Sequence, residues 1–212
     1  MKTLKLIPIL TFLLCFPLVI QAQSLKSKIQ KSVVEIGKTF PQIPSERLKQ
    51  LDQAAFSLVR HLGDSTQVDV VFIDNSNEEI SQLAMIWLET GMIYYGHSSM
   101  FNIQSAAIAP IDKPLLILEG LKQYGYNIRN VRGDNPMSYK IDYGSGNWIV
   151  YPKPLESLNS DSKKNIKIYL EKNSSIDSGK KEIELLFANT EDIPKEMLYM
   201  STRINNLLQR NQ

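Results

Sequence analysis

The sequence predicts an α/β fold in which two amphipathic helices precede a parallel sheet. Apolar residues recur at intervals of three and four over Leu25–Phe40 and again from Ser45 to Leu62, which is helical spacing. From Val68 onward, strand-like segments rich in β-branched residues alternate with helical segments. This alternation is typical of a parallel sheet with helices on both faces.

Local signals place the individual elements. Pro41 and Pro44 interrupt the first helix, and Gly63 is suited to cap the second. The predicted strands of the parallel sheet are Val68–Ile73, Phe101–Ala109, Asn165–Leu170 and Glu182–Ala188. The predicted helices that accompany them are Ile80–Tyr95, Pro114–Tyr124 and Pro194–Gln209.

The stretch between the second and third of these strands is less regular. Ile128–Val131 is suited to a short strand, and the segments Met137–Tyr143 and Trp148–Tyr151 flank a Gly-Ser-Gly turn. These two segments predict either a hairpin or an irregular excursion from the sheet.

The first 23 residues, MKTLKLIPILTFLLCFPLVIQAQ, are typical of a secretory signal peptide. Lys2 and Lys5 precede a short apolar core over Leu6–Ile20, and Ala22 is suited to cleavage. An uncleaved membrane anchor is the less favoured alternative. We therefore expect a protein exported to the periplasm or secreted, with no transmembrane segment after cleavage. We expect a helical extension over residues 24–66 and an α/β domain over residues 67–212.

Charge and cysteine usage exclude several classes of function. Loss of the two signal lysines leaves 22 basic and 22 acidic residues, so the chain lacks the basic surface of a nucleic-acid-binding protein. A protein partner of unknown identity is the better expectation. The only cysteine, Cys15, lies in the predicted signal. The exported chain therefore has no thiol for a disulfide, a thiolate metal site or a nucleophile.

An acidic loop follows the first predicted strand, at the edge where open α/β sheets bind ligands. The loop reads DNSNEEIS and leads into a predicted helix, whose free N–H groups would favour an anion. Three of its side chains are nevertheless acidic, namely Asp74, Glu78 and Glu79, and none is basic.

Four stretches of the sequence carry a family resemblance. They read FPQIPSERLKQLDQAAFSL, VVFIDNSNEEISQLAMIWLETGMIYYG, LEGLKQYGYNI and GDNPMSYKI, and they fall within roughly Ile29–Ile141. In them the chain resembles the low-molecular-weight protein-tyrosine-phosphatase and arsenate-reductase family, in its bacterial branch with a helical N-terminal extension. The resemblance implies a three-layer domain with a central parallel four-stranded sheet. It also implies phosphatase or arsenate-reductase activity in relatives with an intact loop.

The loop departs from the family pattern of a cysteine, five residues, an arginine and a serine or threonine. The family's cysteine attacks phosphorus or arsenic, and its arginine binds the oxyanion. Asp74 stands at the cysteine position and Ile80 at the arginine position, so neither thiol mechanism is available. The resemblance implies that Asn77 and Ser81 shape the loop. The degenerate loop comprises Asp74, Asn75, Ser76, Asn77, Glu78, Glu79, Ile80 and Ser81.

The family's general acid, an aspartate before a proline ahead of the last helix, is also missing. The register of that helix offers Asn189 and Thr190, and a small gap would offer Asp192, which Ile193 follows. Neither alternative is an Asp-Pro pair. We expect no intact catalytic residue.

The loop chemistry predicts poor phosphate binding. Isoleucine in place of arginine removes a charge-assisted contact worth roughly 1.5–3 kcal/mol. A carboxylate about 4 Å from a phosphate charge repels it by about 4 kcal/mol at an effective dielectric constant near 20. Asp74 and its acidic neighbours should therefore reject the family's substrate.

Other roles for the acids are a nucleophile, a metal site or a helix cap. An aspartate at a strand end is faintly similar to haloacid-dehalogenase-type phosphatases, but the second aspartate they need is Ser76 here. Asp74, Glu78 and Glu79 are hard ligands suited to Ca²⁺ or Mg²⁺. The favoured interpretation is that Asp74 or Asn77 caps the following helix, with the two glutamates in its first turn.

These observations predict a catalytically inactive binding or structural module with no metal and no cofactor. The alternative is a hydrolase of changed chemistry that uses Asp74, with or without a metal ion.

Overall fold

The computed structural model describes residues 23–63, 65–131, 137–158, 165–172 and 182–210. The α-helices in these ranges are α1 (Ser27–Gly37), α2 (Ser45–Leu62), α3 (Ile80–Tyr95) and α4 (Ile193–Arg210). The strands are β1 (Val68–Asp74), β2 (Phe101–Ala107), β3 (Asn127–Val131), β4 (Ser138–Asp142), β5 (Asn147–Val150), β6 (Ile166–Tyr169) and β7 (Glu182–Glu184). Short 3₁₀ helices cover Phe40–Gln42, Ser98–Met100, Leu116–Tyr124 and Leu155–Ser157. The predicted signal lies, apart from Gln23, outside the described residues.

The central sheet has four parallel strands in the order β2-β1-β6-β7, which confirms the predicted parallel α/β sheet. Strand β1 lies inside the sheet, with Val70 opposite Ile103 on one side and Ile166 on the other. An interior position explains why β1 is apolar on both faces, as buried parallel strands are. The carboxyl ends of β1, β2 and β6 consequently meet at one edge of the sheet.

The main core lies between one face of this sheet and the four helices. Val68, Val70 and Phe72 of β1 belong to the same apolar cluster as buried residues of α1, α2, α3 and α4. Helix α3 lies against α4 at Gly91, where an added Cβ would come within 2.4 Å of the Ser201 side chain. Only a residue without a Cβ permits this close approach of two helices. The predicted extension therefore shares its core with the α/β domain.

The opposite face of the sheet carries a smaller apolar cluster. It contains Val71 and Ile73 of β1, with Ala106 and Tyr169 from the neighbouring strands. Leu155 and Leu158, in and beside a short 3₁₀ helix, pack against it. In the described residues, the helical cover of this face is thus one turn of 3₁₀ helix.

The excursion after β2 forms a second, antiparallel sheet in the order β3-β4-β5. Of the two alternatives for this region, the hairpin is correct, since Ser138–Asp142 pairs with Asn147–Val150. Ile128–Val131 joins this sheet as part of β3.

Two element predictions need correction. The predicted helix Pro114–Tyr124 is a 3₁₀ helix over Leu116–Tyr124, a stretch in which Gly120 disfavours a regular α-helix. The last strand ends at Glu184 instead of Ala188, although the N–H of Leu185 still bonds to the carbonyl of Tyr169. Within the described part of the chain, no helix is both long enough and apolar enough to cross a membrane.

Candidate functional site

The predicted loop joins β1 to α3 at the carboxyl edge of the parallel sheet. Its backbone is anchored by the segment that follows β2, in which Ile108 and Ala109 donate N–H groups to the carbonyls of Asp74 and Asn75. A further bond runs from the Ile111 N–H to the carbonyl of Ser76, at 3.2 Å. The loop is therefore held in place along its first half.

The Asp74 carboxylate lies inside the loop. Asp74 is only 4% exposed, and each oxygen of its carboxylate accepts a backbone N–H. One N–H comes from Asn77, and the other comes from Ser81 at 2.9 Å. Because Ser81 is the second residue of α3, this bond caps the helix and confirms that capping role for Asp74. The carboxylate thus occupies the place where an anion would meet the helix N-terminus.

A second carboxylate contacts the same loop. Glu171, which directly follows Leu170, accepts the backbone N–H of Asn75 at 3.0 Å. The sequence interpretation missed this contact, although a usable signal existed. Glu171 directly follows a predicted strand, and the carboxyl ends of neighbouring parallel strands lie at the same edge of the sheet. Two carboxylates of the chain therefore accept three of the loop's N–H groups.

Asn77 and Ser81 shape the loop, as the resemblance implied. Asn77 has a φ of 54°, in the left-handed region that asparagine tolerates better than most residues. Its side-chain amide donates to the Ser81 hydroxyl at 2.7 Å. Its side-chain oxygen accepts the backbone N–H of Lys153 at 3.0 Å, which ties the loop to the segment after β5.

Gln82 completes a buried polar network behind the loop. Its side-chain amide donates to the Asn77 side-chain oxygen at 2.9 Å and to the Tyr151 carbonyl at 3.1 Å. Its side-chain oxygen accepts the hydroxyl of Ser105 at 3.0 Å. This role of Gln82 could not be predicted from the sequence, because a glutamine in a helical pattern usually lies at the surface. Gln82, Asn77 and Ser105 are all buried, so this network holds the loop from the protein interior.

Burial sets the electrostatics of Asp74. Loss of contact with water raises the pKa of its carboxyl above the ordinary value, and the negative charge of Glu171 adds to this rise. The N–H groups of Ser81 and Asn77 act in the opposite direction, because they stabilise the ionised form. The side chain is thus an internal acceptor of hydrogen bonds with a disfavoured charge.

The remaining loop residues have other surroundings. Helix α3 begins at Ile80, so the predicted place of Glu78 and Glu79 in its first turn is wrong. Glu79 is the N-cap residue and forms no side-chain capping bond. Ile80, at the family's arginine position, is partly buried and packs against the main core. The residue that the resemblance aligns with the anion-binding arginine therefore packs against apolar side chains.

The two candidates for the general acid make local contacts at the start of α4. Asn189 is exposed, and its side-chain oxygen accepts the N–H of Glu191 at 3.0 Å. Asp192 pairs with Lys195 at 2.8 Å, one helical turn further on. Both contacts organise the entry into the last helix.

Metal ligation was the other chemistry suggested by the acids. Over the described residues, no group of three or more His, Cys, Asp or Glu side chains is arranged to hold a cation. Lys153 lies beside the loop, and burial lowers the pKa of its ammonium group. Its Nζ atom lies 5.6 Å from the ring centroid of Tyr151.

Comparison with known proteins finds matches among solved structures. No protein-family model and no curated protein matches the chain. The thioredoxin-dependent arsenate reductase of Corynebacterium glutamicum matches with a TM-score of 0.37 and 20% sequence identity, over 87% of this chain and 86% of that chain.

Proposed function

We propose that this chain is an exported, catalytically inactive protein built like the low-molecular-weight phosphatases and arsenate reductases, and that it acts as a binding or structural module. The observation that carries this proposal is the position of Asp74. Its carboxylate accepts two of the N–H groups that would otherwise be free to bind an oxyanion at the start of α3.

The charge of the loop supports the same function. An incoming phosphate would have to displace Asp74 from its amide donors and would meet its negative charge and that of Glu171. No side chain of the loop supplies a compensating positive charge, because Ile80 stands at the arginine position. The repulsion between a carboxylate and a phosphate charge about 4 Å apart, about 4 kcal/mol, opposes binding.

The geometry also speaks against Asp74 as a nucleophile. A carboxylate nucleophile must reach an electrophilic phosphorus with a free oxygen. Asp74 is 4% exposed, and both of its oxygens are engaged by backbone N–H groups. The changed-chemistry alternative therefore lacks an accessible attacking atom.

A phosphatase assay tests the absence of catalysis. We expect the purified protein to leave p-nitrophenyl phosphate intact, with and without Mg²⁺, at rates equal to those of Asp74→Asn. Turnover that is present in the wild type and lost in Asp74→Asn would overturn the proposal in favour of the hydrolase.

A ligand-binding measurement tests the internal-anion argument separately. Inorganic phosphate should leave the melting temperature of the wild type unchanged and should raise that of Asp74→Ala, in which the two N–H groups are free. Glu156→Ala, which removes an exposed acid elsewhere, is the control and should behave like the wild type. Phosphate stabilisation of the wild type would contradict the argument.

Export and domain division are part of the proposal. The sequence of residues 1–23 supports a cleaved signal, and residues 24–66 and 67–212 are proposed as extension and domain. N-terminal sequencing of the protein from an envelope or culture-medium fraction tests cleavage. A chain that still begins at Met1 would contradict it.

A further inference from the structure

A second site lies at the end of the central sheet opposite the Asp74 loop. A cavity of about 630 Å³ opens beside the first residues of β2 and the last two turns of α3. Its wall includes Gln67, Glu89, Asn102, Tyr143 and Trp148. A volume of this size accommodates a small organic molecule.

The cavity contains one carboxylate without a compensating group. Glu89 lies in α3 and is partly buried, and no hydrogen bond or ion pair to its carboxylate occurs within the described ranges. Burial raises the pKa of Glu89 to about 8. Carboxylates that are partly shielded from water are ordinarily paired, so an unpaired one in a cavity wall marks a place for a ligand.

The charged groups around Glu89 leave its charge unbalanced. Tyr143 is the other ionisable side chain of the described wall, and burial together with the charge of Glu89 raises its pKa above the ordinary value. Asp69 lies beside the wall, where the Asn102 amide donates to it at 2.7 Å. The ammonium group of Lys26 donates to the carbonyl of Asp142 at 3.0 Å. No side chain of the described wall carries a positive charge that could balance Glu89.

The hydrogen-bonding groups of the wall favour a ligand that donates hydrogen bonds. The side-chain amide nitrogens of Gln67 and Asn102 already donate to Ser99 and Asp69, which leaves their amide oxygens as acceptors. The rings of Tyr143 and Trp148 lie with centroids 4.4 Å apart and offer aromatic surface to a cation. Carboxylate, amide oxygens and aromatic rings are together the partners of an ammonium group.

We propose that this cavity binds a small organic amine in its ammonium form, with Glu89 as the residue that pairs with its charge. The site is separate from the Asp74 loop, so its occupation does not depend on whether that loop is catalytic.

Binding is measured with 1,4-diaminobutane as the probe. We expect it to raise the melting temperature of the purified protein at pH 8.5 in a saturable manner, and 1,4-butanediol and NaCl at matched ionic strength to produce no saturable rise. Glu89→Gln should lose the response, whereas Glu156→Gln, at an exposed position away from the wall, should keep it. An equal response in Glu89→Gln, or with NaCl alone, would overturn the proposal.

Proton release provides a readout on the unmodified protein. A carboxyl with a pKa of about 8 is mostly protonated at pH 7 and must ionise to pair with the amine. Calorimetry in two buffers of different ionisation enthalpy should therefore show close to one proton released per amine at pH 7. The affinity should rise about tenfold from pH 7 to pH 9, where an alkylamine is still charged. Binding without proton release would show that Glu89 is not the partner.

Discussion

The two ends of helix α3 carry carboxylates in opposite circumstances, one buried and one partly buried. Asp74 precedes the helix and has both oxygens bonded to backbone N–H groups. Glu89 lies two turns before the helix ends at Tyr95, in a cavity wall without such donors. Burial raises the pKa of both, and the amide donors oppose this rise only at Asp74. Shielding from water thus accompanies two different roles. A carboxylate that receives hydrogen bonds is structural, as at Asp74, and one without donors is available to bind a ligand, as proposed for Glu89.

The N-terminus of the helix adds to this difference. The positive end of the α3 dipole faces Asp74 and stabilises its charge, whereas a carboxylate near the negative end gains nothing from the dipole. Asp74 therefore takes the position that an external anion would occupy, whereas Glu89 is proposed to bind an external cation.

The largest expected effect breaks the comparison at Asp74. Asp74→Ala leaves the N–H groups of Asn77 and Ser81 without an acceptor in a buried loop. We expect a loss of about 3 kcal/mol in the free energy of unfolding, from two unsatisfied donors at roughly 1–3 kcal/mol each. Urea unfolding at pH 7 measures it. Glu89→Ala, which removes a partly buried carboxylate without hydrogen-bond donors, should cost less. An equal loss in both variants would remove the distinction between the two carboxylates.

A smaller effect sharpens the comparison at Glu89 through pH. The folded-state pKa of about 8 lies above the ordinary value of 4.5, so the stability attached to protonated Glu89 is fully present below pH 4.5 and is lost as pH rises through 8. Glu89→Gln should abolish this loss. We expect the variant to exceed the wild type by about 1–3 kcal/mol at pH 9, since one pKa unit corresponds to about 1.4 kcal/mol.

Thermal unfolding of both proteins between pH 5 and pH 9 measures this difference. The curves should lie close together at pH 5, separate progressively up to about pH 8 and run parallel above it, with about 2–4 °C for each kcal/mol in a chain of this size. Glu156→Gln, an exposed control, should follow the wild type throughout. A constant offset between wild type and Glu89→Gln would contradict a buried, titrating carboxyl.

Much of the frame could be predicted from local sequence. Helices α2 and α3 begin and end where apolar spacing, Pro44, Gly63 and Gly96 indicate, because these are short-range signals. The 3₁₀ helix over Leu116–Tyr124 and the short β7 were not predicted in their observed form. Apolar spacing does not distinguish a 3₁₀ helix from an α-helix, and it does not mark the residue at which strand pairing ends.

The candidate site was predictable only in part for a similar reason. The cap at Asp74 follows from a position beside its own helix, whereas Glu171 is 96 residues away from the N–H that it accepts. Gln82 bonds to Tyr151 across a separation of 69 residues. The cavity around Glu89 assembles parts of α3, β2 and the β4–β5 hairpin, and no local pattern brings these together.

The smallest expected effect concerns the exposed acids of the loop, Glu78 and Glu79. Glu79 is exposed and forms no capping bond, and Glu78 is only partly buried. Their attraction to the positive end of α3 is worth roughly 0.3–1 kcal/mol per charge at low ionic strength and less in salt. Glu79→Gln should therefore lower the free energy of unfolding by no more than about 0.5 kcal/mol, with a still smaller change in 0.5 M NaCl.

The same urea titration, run at low and high salt beside Asp74→Ala, measures this. A loss that approaches that of Asp74→Ala and persists in salt would mean that Glu79 also holds loop N–H groups. Asp74 and Glu79 would then share the anion position. The comparison with Glu89 would be between a group of loop carboxylates and a single residue. A small, salt-sensitive loss would leave Asp74 as the carboxylate that fills the loop, because only a charge held by buried N–H groups resists screening.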